Sequence, residues 1–228
     1  MQHLIFKSLA IAIFSMISVA ADASRYEIYE QNASGVVVIF SGDGIGSGVI
    51  LSERGYVLTN WHVVDGQGDI EVVCGGCMET YEESIFKTEV IKIDQTRDLA
   101  LLKIINPPST LTKIEVSQVT AEVGDEVHAI GHPEGEIWTY TQGYISQHRT
   151  EYEWNYEKTG EIEFIADVYQ TQTPIASGSS GGPLLNRHGN LIGINTFGNS
   201  EANSSGTIMN YSITVEEIIE FLTNLGFI

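Results

Sequence analysis

Residues 176–196 read ASGSSGGPLLNRHGNLIGINT, and two readings of that stretch lead to different folds. Gly178, Ser180 and Gly182 satisfy Gly-x-Ser-x-Gly, the pattern that lifts a nucleophilic serine on a strand–turn–helix elbow. An elbow needs a helix after the serine, then an acid and a histidine downstream. Here Pro183 leads into LLNRHGNLIGIN, which reads as a hairpin. His188 is the only later histidine, and no acid separates it from Ser180. The serine therefore sits in a loop between strands, and its activating groups must come from earlier in the chain.

Upstream, short strands alternate with turn residues. GVVVIF, GVIL, YVLTN, IEVVC, TEVIKID, LALLKI, EVHAIG, YTQGYIS, EIEFIADVYQTQ, LIGINTF and TIMNYSIT are rich in Val, Ile, Thr and Tyr. They recur at the spacing of a sandwich or barrel. Helical periodicity is scarce until the end, where Thr214 and Glu217 read as a capping box opening VEEIIEFLTNL, with Gly226 as the stop. No internal repeat is visible. NPPS, Asn106 to Ser109, is the strongest interior breaker and the expected boundary between two halves. GDGIGSG, Gly42 to Gly48, fits neither a dinucleotide-binding nor a P-loop pattern and reads as a flexible turn. The expected class is all-β with a terminal helix.

The 228 residues carry 11 Lys and Arg against 30 Asp and Glu, a formal net charge of -19. Such a surface repels phosphate backbones and argues against a nucleic-acid partner. At the N-terminus Lys7 precedes an apolar run from Leu9 to about Val19, then Ala20, Ala21 and Ala23. This is the pattern of a secretory signal peptide over residues 1–23, cleaved near 20–23. The uncharged run is short for a membrane span of ~20 residues. The remainder is expected to be soluble, free of the membrane, and secreted or periplasmic.

Cys74 and Cys77 flank Gly75-Gly76, a two-residue hairpin signal that would set the cysteines opposite each other. A cross-strand Cα separation of ~5.5 Å suits a disulfide, and an oxidising compartment favours one. A metal site would need two further ligands, and none lies nearby in the sequence. A redox-active pair belongs at a helix N-terminus, not in a hairpin. No metal or cofactor is expected.

A serine hydroxyl attacks only when a base takes its proton and donors stabilise the oxyanion. His62 stands where the apolar strand YVLTN ends, so its imidazole is delivered at a strand edge. His128, inside EVHAIG, reads as a core or sheet-face histidine, and His132 and His148 as loop or surface positions. Asp98 opens the apolar strand DLALLKI, where a carboxylate is costly without partners. Asp94 is its rival and reads as a solvated turn carboxylate. Asp65, within one turn of His62, is expected to point elsewhere.

Four blocks then fall in order: GSGVILSERGYVLTNWHVV, RDLALLKI, VGDEVHAIGHPEG and YQTQTPIASGSSGGPLLNRHGNLIGINT. From about Gly35 to Ile213 they resemble trypsin-like serine proteases of the chymotrypsin fold, most closely the HtrA/Deg protease domain. The resemblance implies two packed six-stranded antiparallel β-barrels, about 30–108 and 112–213, and a helix over 215–225. It implies His62 as general base, Asp98 as orienting acid and Ser180 as nucleophile. The N–H groups of Gly178 and Ser180 would form the oxyanion hole, and proteins or peptides would be the substrates, cut through an acyl-enzyme.

Departures shape the expectation. Ser179 replaces the aspartate with which digestive relatives bind a newly cut N-terminus, so activation by propeptide cleavage is not indicated. The residues after Ser180 are taken up by the last strands and helix, so a PDZ domain is not expected. By resemblance the substrate pocket is walled by Ile175 and Ala176, by Ile194, Asn195 and Thr196, and near Tyr211 to Ile213. No acid stands there, which points to small or medium apolar P1 residues. The alternatives are a protease-fold binding or adhesion protein with an unproductive triad and, further off, a lipase or esterase.

Overall fold

LALLKI is apolar at five of its six positions because both of its faces are covered. In the computed structural model, which describes residues 23–66, 68–75, 84–155, 163–198 and 209–227, this run is strand β6 (Leu99–Ile104). Ala100, Leu102 and Ile104 join Val37, Ile39, Ile50, Val57 and Val72 in the interior of a first barrel. Leu99 and Leu101, on the other face, join Val36, Val49 and Leu58 in a seam shared with Ile130, Ile194 and Ile213 of the second half. Side chains alternate with a period of two along a strand, so a run apolar throughout needs an apolar neighbour on each side.

The first barrel comprises β1 (Val36–Ser41), β2 (Gly44–Ile50), β3 (Tyr56–Thr59), β4 (Ile70–Cys74), β5 (Ile85–Asp94) and β6. It closes in the order β1-β2-β3-β6-β5-β4. The second comprises β7 (Glu126–Gly131), β8 (Thr139–Trp154), β9 (Phe164–Thr171), β10 (Pro183–Asn186), β11 (Leu191–Gly198) and β12 (Asn210–Thr214), closing as β7-β8-β9-β12-β11-β10. Each strand of the second barrel thus takes the place of the one six before it. The halves repeat in topology although no repeat shows in the sequence. The expected two antiparallel six-stranded barrels are present, with the seam between them as the largest core cluster.

Three α-helices, with short 3-10 turns at Ala33–Gly35 and Pro133–Gly135, complete the described chain. α1 (Arg25–Asn32) was not expected, because Ile28 is its one aliphatic residue. It is held by a capping box: Glu27 N donates to Ser24 Oγ (3.2 Å) and Ser24 N to Glu27 Oε2 (2.7 Å). α2 is the single turn Trp61–Val64. α3 (Val215–Thr223) buries Val215, Ile218, Phe221 and Leu222. Its expected capping box is not formed, since Thr214 makes no side-chain cap. Glu217 is drawn instead to Arg97 Nε (2.5 Å) and Asp167 N (2.9 Å).

Two local readings need correction. Gly44 to Gly48 is not a flexible turn but the body of β2, with the turn confined to Gly42 and Asp43. Nor does a two-residue turn at Gly75-Gly76 set the β4–β5 pairing, in which Val73 pairs with Ile85; Gly76 itself lies outside the described residues. Cys74 ends β4 fully buried. Cys77 lies outside the described residues, as does the leader up to residue 22. Among the described residues no helix is long and apolar enough to cross a membrane.

Candidate active site

The base and the acid both come from the first barrel. After β3 the chain makes the one-turn α2, and His62 projects from it with about a fifth of its side chain exposed. Asp98 stands just before β6, fully buried, with φ 56°. The left-handed region suits Asp better than most residues. The twist is stabilised by two bonds to its carbonyl oxygen, from Trp61 N (3.2 Å) and Asn60 Nδ2 (3.0 Å). Its carboxylate receives three more: Oδ1 from His62 N (3.0 Å), and Oδ2 from His62 Nδ1 (2.8 Å) and Thr196 Oγ1 (2.7 Å). These donors are the partners a buried carboxylate requires. An ionised Asp98 only accepts, so the His62 proton sits on Nδ1 and leaves Nε2 as the basic nitrogen.

Ser180 lies in the β9–β10 connection of the second barrel. Its backbone is fixed peptide by peptide. The carbonyls of Ser177, Gly178, Ser179 and Ser180 accept, in turn, from Glu134 N (2.7 Å), Ser47 Oγ (2.7 Å), Gly182 N (3.1 Å) and Ser47 N (2.8 Å). Ser179 N donates to Ala176 O (2.9 Å) and Gly181 N to Asn195 O (2.8 Å). Among the described residues the N–H groups of Ser177, Gly178 and Ser180 in this run have no acceptor, and those of Gly178 and Ser180 lie on either side of Ser179. The C=O and N–H of a trans peptide point in opposite directions, so the Glu134 bond to Ser177 O turns the Gly178 N–H the other way. Gly178 has φ +93°, which a side chain would strain.

Ser180 Oγ donates to the backbone carbonyl of Thr196 (2.8 Å), not to His62. Ser179, where an aspartate would tie down a cut N-terminus, accepts from Ala176 N (3.2 Å).

The remaining candidates divide. Asp94 is not merely solvated: it takes Arg97 N (3.1 Å) and Nη1 (2.8 Å). Asp65 and His148 are exposed. His128 is buried on β7 against Tyr140 Oη (2.8 Å). His132 departs from expectation, being fully buried beneath the serine loop with Nδ1 2.8 Å from Ser47 Oγ. Burial pushes its pKa from 6.5 down to about 4. Of the pocket residues, Ile175 and Ala176 are half-buried, whereas Ile194 packs in the inter-barrel core. Asn195 is tied to Pro183 O (3.1 Å) and Ser212 Oγ (2.9 Å). Thr196 turns its hydroxyl to Asp98, a partner the sequence reading missed. The described residues contain no cluster fit to hold a metal ion.

Two closed six-stranded barrels, with a histidine–carboxylate pair from one and a serine loop from the other, define the chymotrypsin-like class. The chain belongs to the trypsin-like peptidase family: the trypsin-like peptidase domain matches residues 46–194. It is 37% identical over 201 residues to Protease Do-like 1, chloroplastic, of Arabidopsis thaliana, covering 86% of this chain and 43% of the relative. To the periplasmic pH-dependent serine endoprotease DegQ of Escherichia coli it is 38% identical over 157 residues, 68% of this chain and 31% of that protein. The chain therefore spans less than half the length of these HtrA/Deg relatives. Among solved structures, the serine endoprotease from Yersinia pestis superposes with a TM-score of 0.70 at 30% identity, over 90% of this chain and 67% of that one. A Mycobacterium tuberculosis protein in an inactive form shares the fold, with a TM-score of 0.70 at 24% identity over 87% and 90% of the two chains.

Proposed function

We propose that the protein is a serine endopeptidase cleaving peptide bonds through an acyl-enzyme on Ser180. The observation that carries the reading is that the carbonyls of Ser177 to Ser180 are all held while the N–H groups of Gly178 and Ser180 have no acceptor among the described residues. Two N–H donors beside the nucleophile, in a backbone whose carbonyls are bonded elsewhere, suit a developing oxyanion.

In the first step Ser180 Oγ leaves the Thr196 carbonyl by rotation about one side-chain bond and gives its proton to His62 Nε2 as it attacks the substrate carbonyl. Asp98 holds the imidazole in the Nδ1–H tautomer and balances the charge of the imidazolium. The oxyanion is received by the two N–H groups. His62 then protonates the leaving amine, the C–N bond breaks, and water, deprotonated by the same imidazole, releases the acyl group. The bond from Ser180 to Thr196 O is the one feature that favours an unproductive, binding-only protein.

A fluorophosphonate probe on the folded protein decides between them. Labelling at Ser180, lost in Ser180→Ala, supports the peptidase; a folded wild-type protein that resists the probe overturns it. Ile175 and Ala176, with no acid at Thr196 or Tyr211 to Ile213, support a small or medium apolar P1 residue. Strong cleavage after Lys, Arg or Glu in a P1-varied peptide series would overturn that preference. Removal of the leader near residues 20–23, export to a periplasm or beyond, and a Cys74–Cys77 disulfide belong to the same reading. Mass measurement of the exported protein, with and without reductant and alkylation, tests all three.

A further inference from the structure

We propose that Ser47, oriented by His132, is a positioning residue for the oxyanion loop, a role that rests on the reading of Ser180 as nucleophile. Ser47 belongs to β2 of the first barrel and is fully buried, yet it grips the second barrel's loop at two points. Its N–H donates to Ser180 O (2.8 Å) and its hydroxyl to Gly178 O (2.7 Å). Those carbonyls belong to the peptides on either side of the one that carries the Ser180 N–H. Ser47 O is itself fixed by Thr59 Oγ1 (2.7 Å), so the gripping residue is anchored in its own sheet.

The direction of the next bond follows from the inventory of donors. The Ser47 hydroxyl proton is committed to Gly178 O, so in the 2.8 Å contact with His132 the imidazole must donate. A relay results: His132 Nδ1–H to Ser47 Oγ, and Ser47 Oγ–H to Gly178 O. The donation from His132 occupies the hydroxyl's acceptor side and leaves one orientation for its proton. It also leaves His132 Nε2 buried with no partner among the described residues, an arrangement costly enough to call for a reason. Trp138 packs edge-on to the imidazole at 5.4 Å and donates Nε1 to Val36 O (3.0 Å), wedging the histidine between the barrels. Neither Ser47 nor His132 touches the reacting atoms in this scheme; both act through the loop.

The test uses the full chain, steady-state kinetics on a cleaved peptide, and two inhibitors. A peptide boronic acid forms a tetrahedral adduct that uses the oxyanion hole, whereas the product peptide binds without it. Ser47→Ala is expected to lower kcat by ~10- to 100-fold, with KM changed less than ~3-fold, below the cost of deleting a hole donor outright. Boronate affinity should fall with kcat while product affinity holds. His132→Leu should reproduce this, and His132→Asn, which sets an N–H near the position of Nδ1, should recover most of the loss.

The double variant Ser47→Ala/His132→Leu should be no worse than the more severe single one, since the two act as a unit. If thermal melting shows Ser47→Ala unfolded, Ser47→Cys keeps the volume and a weak donor and should give an intermediate kcat. A folded Ser47→Ala or Ser47→Cys with wild-type kcat and boronate affinity overturns the positioning role alone, as do additive losses in the double variant. A wild-type protein that does not label at Ser180 overturns the nucleophile reading and this role with it.

Discussion

The β3–β4 connection of the first barrel and the β9–β10 connection of the second occupy equivalent places in the two closed sheets. The first carries His62 and the second Ser180. The first folds into a turn of helix, α2, and presents a side chain. The second is an extended glycine-rich loop that holds the carbonyls of Ser177 to Ser180 in hydrogen bonds and leaves the N–H groups of Gly178 and Ser180 without acceptors among the described residues. Equivalent positions in a repeated architecture thus come to offer opposite things, an imidazole from one and a backbone from the other. The difference lies in composition, because glycine lets the second segment turn its amides outward where α2 cannot. Bonds across the seam join the halves: Thr196 to Asp98, and Ser47 to Gly178 and Ser180.

The comparison breaks most completely when either connection loses its presented group. Ser180→Ala and His62→Ala are each expected to lower kcat by about 10⁴-fold or more, and the double variant hardly further, if both belong to one catalytic unit. Turnover of a peptide substrate, with circular dichroism as a check on folding, measures it. Losses that multiply would separate the two connections functionally.

Next in size is an acid effect confined to the second connection's underside. Unfolded His132 takes a proton near pH 6.5, whereas burial holds it neutral in the native protein down to about 4. Stability from this group is therefore full above pH 6.5, falls as pH drops from there to about 4, and is flat below. The shift corresponds to about 3 kcal/mol. His132→Asn should remove that part of the slope, seen as a smaller difference between urea unfolding at pH 7 and at pH 4. An unchanged slope would mean that His132 is protonated in the native state.

Thr196→Val deletes one of the three donors that the described residues give the Asp98 carboxylate and leaves His62 in place. A hydrogen bond to a charged group contributes about 1.5–3 kcal/mol, so kcat/KM should fall roughly 10- to 100-fold. An isosteric variant with full activity would make the bond across the seam ornamental.

Legibility in the sequence followed how local the cause was. The barrel strands could be read because β-branched runs, turn residues and two-face burial all act within a few positions. Pro183–Asn186 surfaced only as half of a hairpin. His62, Asp98 and Ser180 could be read because motifs carry them. His132 reads as a loop residue in the sequence because its burial depends on Ser47 and Trp138, 85 positions upstream and six downstream in the chain. Thr214 and Glu217 have the spacing of a cap, but Glu217 bonds instead to Arg97 and the Asp167 amide, partners remote in the chain. The β4–β5 register, which pairs Val73 with Ile85, could not be read from the Gly75-Gly76 signal, because register is set by pairing along the whole ladder.

α1 marks where that locality failed in the other direction, and it gives the smallest effect. Its eight residues include one buried aliphatic, Ile28, so apolar periodicity could not reveal it. The box of Ser24 and Glu27 is strictly local and was present in the sequence all along. The Ser24 N–H, and after it the hydroxyl, hold the Glu27 carboxyl below its ordinary value. The reciprocal bond should therefore persist above pH 4.5 and fade as pH falls through the lowered value. Ser24→Ala should cost about 1 kcal/mol, Ser24→Gly only a few tenths, the ranking expected of an N-cap. Thermal melts at pH 7 should show a drop of about 2–4 °C for the alanine variant, with kcat unchanged because α1 lies outside the two connections. Equal melting of the alanine and glycine variants would mean that Ile28 in the seam, not the cap, holds the helix.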